Sequence, residues 1–190
     1  GPGIIVGVDE VGRVPVAGPL TVGAVVLPDT PLIDGLNDSK KLSAARRETI
    51  AARIAKVALA IGMAFIEPAE IDEIGMSDAL RKAMEIAIEQ TGVDPDCVLI
   101  DGNTVHVHPR EKTILKGDAK IASIAAASIV AKVSRDALMV DYDAQYTAYH
   151  FAQNKGYASA DHIKAIADYG LTPIHRTTFC GNFAKGPRIF

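Results

Sequence analysis

Cysteine is scarce in this 190-residue chain: Cys97 and Cys180 stand far apart and without metal-type spacing. That excludes a disulfide scaffold and sets a reducing cytoplasm as the expected compartment. Long apolar runs are missing as well. The longest candidate, residues 54–66, is interrupted by Lys56 and Gly62 and falls short of the ~20 residues that a membrane span needs. No secretory signal is expected, and Gly1-Pro2 reads as a protease-cleavage scar. Positive charge is not in excess either. A net charge of −3 and a pI near 5.9 argue against a passive, electrostatic binder of nucleic acid, but leave an enzyme acting on it open. Repeats and low-complexity segments are lacking too. With 48% hydrophobic residues and a mean hydropathy of +0.17, a largely disordered chain is excluded. The length suits a single domain over 1–190, with about 147–190 as a helical and irregular C-terminal extension.

What the chain does have is acids at the ends of apolar runs. Ile4-Ile5-Val6-Gly7-Val8 leads into Asp9 and Glu10, followed by Val11-Gly12-Arg13. Asp101 follows Cys97-Val98-Leu99-Ile100, and Asp118 follows Ile114-Leu115-Lys116-Gly117. Carboxylates on rigid strands suit hard divalent cations, and Gly beside Arg lets backbone and guanidinium approach an anion. The recurrence points to metal-dependent phosphoryl transfer.

The pattern predicts strands over Ile4–Val8, Leu20–Leu27 and Val57–Ile66, with further short ones at Cys97–Ile100 and Thr113–Leu115. Helices are expected from a Ser43 cap to about Ala55, over Pro68–Ile74, from a Ser77 cap, from Ala119 to about Tyr146, and over Ser159–Tyr169. The long fourth helix is rich in small residues (Ala122, Ala125, Ala126, Ala127, Ala131), which suits close approach to a sheet. This is α/β layering with a mixed sheet and a helical C-terminal part.

Several segments recur together in one known family: Gly7-Val8-Asp9-Glu10-Val11-Gly12-Arg13, Asn37-Asp38-Ser39-Lys40-Lys41-Leu42, Ile100-Asp101-Gly102 and Lys116-Gly117-Asp118. So do the block from Ser123 to Asp136, Lys155-Gly156-Tyr157 and His175-Arg176. The chain thereby resembles type 2 ribonuclease H (ribonuclease HII) over nearly its whole length. The resemblance implies a ribonuclease H-like fold, with a five-stranded mixed sheet flanked by helices. It implies a catalytic and metal-binding quartet of Asp9, Glu10, Asp101 and Asp118 holding two divalent cations, Mg2+ or Mn2+. Hydrolysis of the RNA strand of RNA–DNA hybrids would follow, giving 5′-phosphate and 3′-hydroxyl ends. Ribonucleotide-containing duplex DNA would be a second substrate. Gly12, Arg13, Val14, Ser39, Lys40, Lys41 and Tyr157 would contact substrate, with Tyr157 stacking on the sugar beside the cut. A monomer is expected, and the C-terminal residues show no clear sliding-clamp peptide.

Each residue also has a plain structural role open to it. Asp101-Gly102 is an ordinary strand-ending turn, Asp118 an ordinary helix cap, and adjacent strand residues such as Asp9 and Glu10 point to opposite faces. Asp136 reads as a structural partner of Arg135, and His175-Arg176 as a stabiliser of the tail. His106 and His108 lack partners at metal-ligand spacing. The chain departs from the family at Val14, where relatives carry Gly. A β-branched residue there threatens discrimination of a single embedded ribonucleotide. Two rivals stand beside this reading: another metal-dependent nuclease on the same fold, and a non-enzymatic nucleic-acid-binding module.

Overall fold

The computed structural model describes residues 3–30, 33–36, 41–102, 105–114, 121–181 and 183. Strands β1 (Ile5–Val11) and β2 (Leu20–Val26) are followed by helix α1 (Ala44–Val57), strand β3 (Ala60–Ile66) and helices α2 (Pro68–Ile74) and α3 (Met76–Gln90). Strands β4 (Cys97–Asp101) and β5 (Glu111–Ile114) come next, then helices α4 (Ala122–Gln145), α5 (Phe151–Asn154) and α6 (Ala160–Tyr169). The five strands form one mixed sheet in the order β3-β2-β1-β4-β5. β1 runs antiparallel to β2 and parallel to β4, and β4 parallel to β5.

Local chemistry explains most boundaries. Ser43 caps α1, its hydroxyl accepting from the Arg46 amide at 3.1 Å, and Ser159 caps α6 through the His162 amide at 3.2 Å. Pro68 opens α2, where its missing N–H costs nothing. Two expectations are corrected. β1 does not stop before the acids but carries both, Asp9 opposite Gly23 and Glu10 opposite Val22, because pairing with β2 continues to Val11. Ser77 is not a cap: α3 begins at Met76, and the carbonyl of Gly75 accepts from the Ala79 amide at 3.0 Å. The four-residue α5 was not foreseen; it lies between His150 and Lys155, both left-handed.

The chain divides into two compact units. The first holds residues 1–11, 21–65 and 80–133 and contains nearly all of the sheet; the second holds 12–20, 66–79 and 134–190. In the first unit the alanine-rich start of α4 lies directly on strand backbone. A Cβ on Gly7 would stand 2.3 Å from the Ser123 carbonyl carbon, and one on Gly23 2.5 Å from the Ala127 carbonyl oxygen. Only glycine fits there. Val25, Ile50, Ile54, Ala125, Ala126 and Ile129 belong to the apolar core of this unit. The second unit has its own core, containing Val16, Met139, Tyr149, Phe151, Ile166 and Ile174. No described helix is long and apolar enough to cross a membrane.

Candidate active site

Asp9 and Glu10 lie on β1, and Asp101 is the last residue of β4. The parallel register pairs Val8 with Ile100, so one further step sets Asp9, two residues before the end of β1, beside Asp101 at the end of β4. Asp9 Oδ1 accepts from the Glu10 amide at 2.9 Å. Burial, the charge of Glu10, a side-chain hydrogen bond with Glu10 and the charge of Asp101 lift the Asp9 carboxyl from 3.8 to about 8. Strand alternation therefore does not keep the Asp9 and Glu10 carboxyls apart. Asp9, with the carboxyls of Glu10 and Asp101 acting on it, offers oxygen donors alone, which suit a hard divalent cation better than a thiophilic one. Among the described residues no three His, Cys, Asp or Glu side chains already converge closely enough to hold an ion. Asp118, the fourth expected acid, lies outside the described residues, as do Ser39 and Lys40. Lys41 is exposed.

The other residues expected to contact substrate, Gly12, Arg13, Val14 and Tyr157, belong to the second unit. Gly12 is left-handed at φ +85°, and a Cβ there would meet Arg135 Nε at 2.5 Å. Arg13 and Val14 are exposed, Val14 to 74%, and Tyr157 to 44%. Outside glycine, positive φ among the described residues is confined to His106, His150 and Lys155. Val14 therefore sits without backbone strain, and what it changes is bulk.

Two buried arginines fix this loop. Arg176 donates from Nε to the Gly18 carbonyl at 2.9 Å, from Nη1 to Arg13 at 3.2 Å and from Nη2 to Gly12 at 2.6 Å. Arg135 donates from Nε to Pro19 at 2.9 Å, from Nη2 to Ala17 at 2.9 Å and from Nη1 to Lys155 at 2.7 Å. Arg135 thus satisfies backbone carbonyls, and the charge of Asp136 favours its ionised form. Burial and the neighbouring Arg135 lower Arg176 to about 9, so it remains charged at neutral pH. The Gly156 carbonyl accepts from Val16 at 2.9 Å and Ala17 at 3.3 Å, joining the loop to the segment before Tyr157. The sequence held a signal for Arg135. It occupies the i+4 stripe Ala127, Ala131, Arg135, Met139, whose members are all buried. His106 and His108 serve a turn instead: Glu111 accepts from the Val105, Val107 and His108 amides, and His108 Nδ1 accepts from Arg110.

A mixed sheet in this order, flanked by helices and bearing carboxylates at neighbouring strand ends, defines a ribonuclease H-like fold. Residues 6–182 match the family model Ribonuclease HII. The ribonucleases HII of Geobacter metallireducens and Enterococcus faecalis are 49% and 47% identical over 178 and 176 residues, 93% of this chain in each case and 84% and 69% of theirs. The crystal structure of ribonuclease H2 from Pyrococcus horikoshii matches with a TM-score of 0.83 at 25% identity, covering 98% of this chain and all of that one. The Archaeoglobus fulgidus ribonuclease HII, solved in complex with PCNA, gives 0.80 at 25% identity over 93% and 94% of the two chains. The chain belongs to the ribonuclease HII family and is an enzyme of the type 2 ribonuclease H class.

Proposed function

We propose that the chain is an endonuclease that hydrolyses the RNA strand of RNA–DNA hybrids, leaving 5′-phosphate and 3′-hydroxyl ends. Asp9, Glu10, Asp101 and Asp118 are the residues that would hold two divalent cations, Mg2+ or Mn2+. The observation that carries this is Asp9, lifted to about 8 by burial and by two neighbouring acids at a strand end. Such mutual repulsion is costly unless a cation or proton relieves it. When bound, divalent cations supply Lewis-acid activation of water and charge neutralisation at the leaving oxygen. Asp9, on the strand flanked by both β2 and β4, is the most central of the acids that would hold the ions.

The protein's part is positioning more than proton transfer. Arg13 is exposed on a loop whose Gly12 and Arg13 carbonyls are held by Arg176, and a guanidinium on so fixed a loop suits a phosphate. Tyr157 presents a half-exposed ring for stacking beside the cut. Ser39, Lys40 and Lys41 would meet the nucleic-acid backbone. Val14 adds bulk where relatives expose backbone, so continuous hybrids are cut well and single embedded ribonucleotides poorly.

One labelled duplex series tests the reading: all-DNA, all-RNA, continuous hybrid, and DNA with one or a few ribonucleotides, each with and without Mg2+. Metal-dependent cutting confined to ribonucleotide-containing strands is expected. Equal cutting of all-DNA duplexes would turn the assignment to a different nuclease.

A further inference from the structure

Two histidines that the proposed chemistry does not use are buried in the second unit. His162 is fully buried and His175 nearly so, packed against the rings of Tyr149 and Phe151. Their Nε2 atoms are 2.9 Å apart. The two outer contacts fix where the protons lie. Thr172 donates its backbone N–H to His175 Nδ1 at 2.9 Å, and an amide N–H can only donate. His175 therefore carries its proton on Nε2 and donates to His162 Nε2. At the other end, His162 Nδ1 lies 2.7 Å from the Tyr157 carbonyl, which can only accept. His162 therefore carries its proton on Nδ1. Both ends give the same answer, a one-directional neutral chain: Thr172 N–H to His175 to His162 to the Tyr157 carbonyl. A further proton would set two N–H groups against each other at one of these contacts. Burial holds both imidazoles below their usual range, which keeps the chain neutral.

Among the described residues, the other hydrogen bonds of the Tyr157 backbone, on which the chain ends, are local. The Tyr157 amide donates to the Asn154 carbonyl at 3.0 Å, and its carbonyl also accepts from Ser159 at 2.9 Å. Asn154 and Gly156 form a tight turn, with the Gly156 amide on Asn154 Oδ1 at 2.7 Å. His162 is the long-reaching contact, because His175 and Thr172 stand on the tail beyond α6. The tail is itself tied to the substrate loop: Ala17 bridges His175, and the Arg176 amide donates to Val16 at 2.7 Å. Successive side chains of an extended segment point to opposite sides. His175 thus serves the Tyr157 side, while Arg176 serves Gly12 and Arg13.

We propose that His162 is a positioning residue for substrate binding, setting the placement of Tyr157 through its carbonyl, and that His175 fixes the tautomer which lets it do so. The proposal rests on the reading in which Tyr157 contacts nucleic acid.

Two substitutions separate the ends of the imidazole. The Asn amide reaches about as far as Nδ1 and the Gln amide about as far as Nε2. His162→Asn therefore keeps the link to Tyr157 and loses the link to His175; His162→Gln does the reverse. Each loses one buried hydrogen bond, so similar melting temperatures are expected. With continuous hybrid, His162→Gln should raise KM roughly tenfold with kcat within about twofold, while His162→Asn stays near wild type. In a Tyr157→Ala background, His162→Gln should add nothing further. Equal KM effects of Asn and Gln, or full additivity with Tyr157→Ala, would overturn the proposal. A wild-type chain that cuts no ribonucleotide-containing duplex would sink the proposed function instead. Imidazole 15N shifts need no substrate and test the chain in either case. Protonated Nδ1 on His162 and Nε2 on His175 support it; the opposite tautomers refute it.

Discussion

The acids of the first unit and the loop of the second solve opposite problems. Around Asp9, burial and the neighbouring carboxyls of Glu10 and Asp101 raise the cost of ionising it. Around Gly12–Pro19, nearly every exposed cost has been removed: two guanidiniums make six donations to backbone carbonyls, and Gly156 accepts two amides of the loop. A catalytic centre for a charged ligand can stay frustrated until that ligand arrives. A surface that reads a sugar and a phosphate by shape must be finished beforehand. The same chain therefore spends stability in one unit and stores it in the other.

The contrast can be broken most decisively at the acids. Asp9→Asn or Asp101→Asn should lower hybrid cleavage to below about a thousandth of wild type, measured at saturating Mg2+. The same Asp9→Asn change should raise the melting temperature of the metal-free protein, because it removes repulsion rather than support. Substantial activity in both variants would end the metal assignment. In the second unit the sign reverses. Arg176→Ala leaves the Gly12, Arg13 and Gly18 carbonyls, two of them buried, without their donor and should cost about 3–5 kcal/mol in denaturant melts. Arg176→Lys, which keeps the charge and loses the fork, should cost less.

pH sharpens the comparison without mutation. Asp9 is raised in the folded chain from 3.8 to about 8, so the metal-free protein is stabilised at low pH and loses that stability as pH rises through this range. His175 is lowered from 6.5 to about 4 by burial and by His162. Its contribution is complete above pH 6.5 and is lost as pH falls towards 4. Metal-free melts across this range should bear both slopes. The two oppose each other between about pH 4 and 6.5, and above that the fall due to Asp9 stands alone; Asp9→Asn should therefore leave only the rise with pH, and His175→Asn only the fall. The smallest expected effect is at Val14. Val14→Gly should raise cleavage at single embedded ribonucleotides roughly tenfold relative to continuous hybrid, read from paired initial rates.

Much of the sheet was legible because its signals are local. Apolar runs bounded by Pro and Gly located β1 and β2, Ser43 and Ser159 marked helix starts, and Pro68 opened α2. Asp9 and Asp101 stood out as acids closing such runs, and the parallel register of β1 with β4 makes them neighbours. What escaped depends on distant partners. β1 runs past its acids because β2 continues to pair with it, and the run Ile4–Val8 alone cannot say so. Arg176 meets Gly12 across 164 residues of sequence, and Arg135 meets Ala17 across 118. His175-Arg176 stood out as a tail stabiliser, but the pairing of His175 with His162 did not, since an imidazole facing another imidazole leaves no period in the sequence.

The glycines beneath α4 bear on how the proposed nuclease centre would be built. Asp9 pairs across the sheet with Gly23, whose α-carbon lies against the Ala127 carbonyl, and two residues earlier Gly7 lies against Ser123. With no side chain interposed to act as a cushion, strand and helix main chains share one surface. Bending β1 near Asp9 would mean displacing α4 as well. The carboxyl is thereby mounted on something stiff, and little rearrangement is left to be done at the moment of reaction.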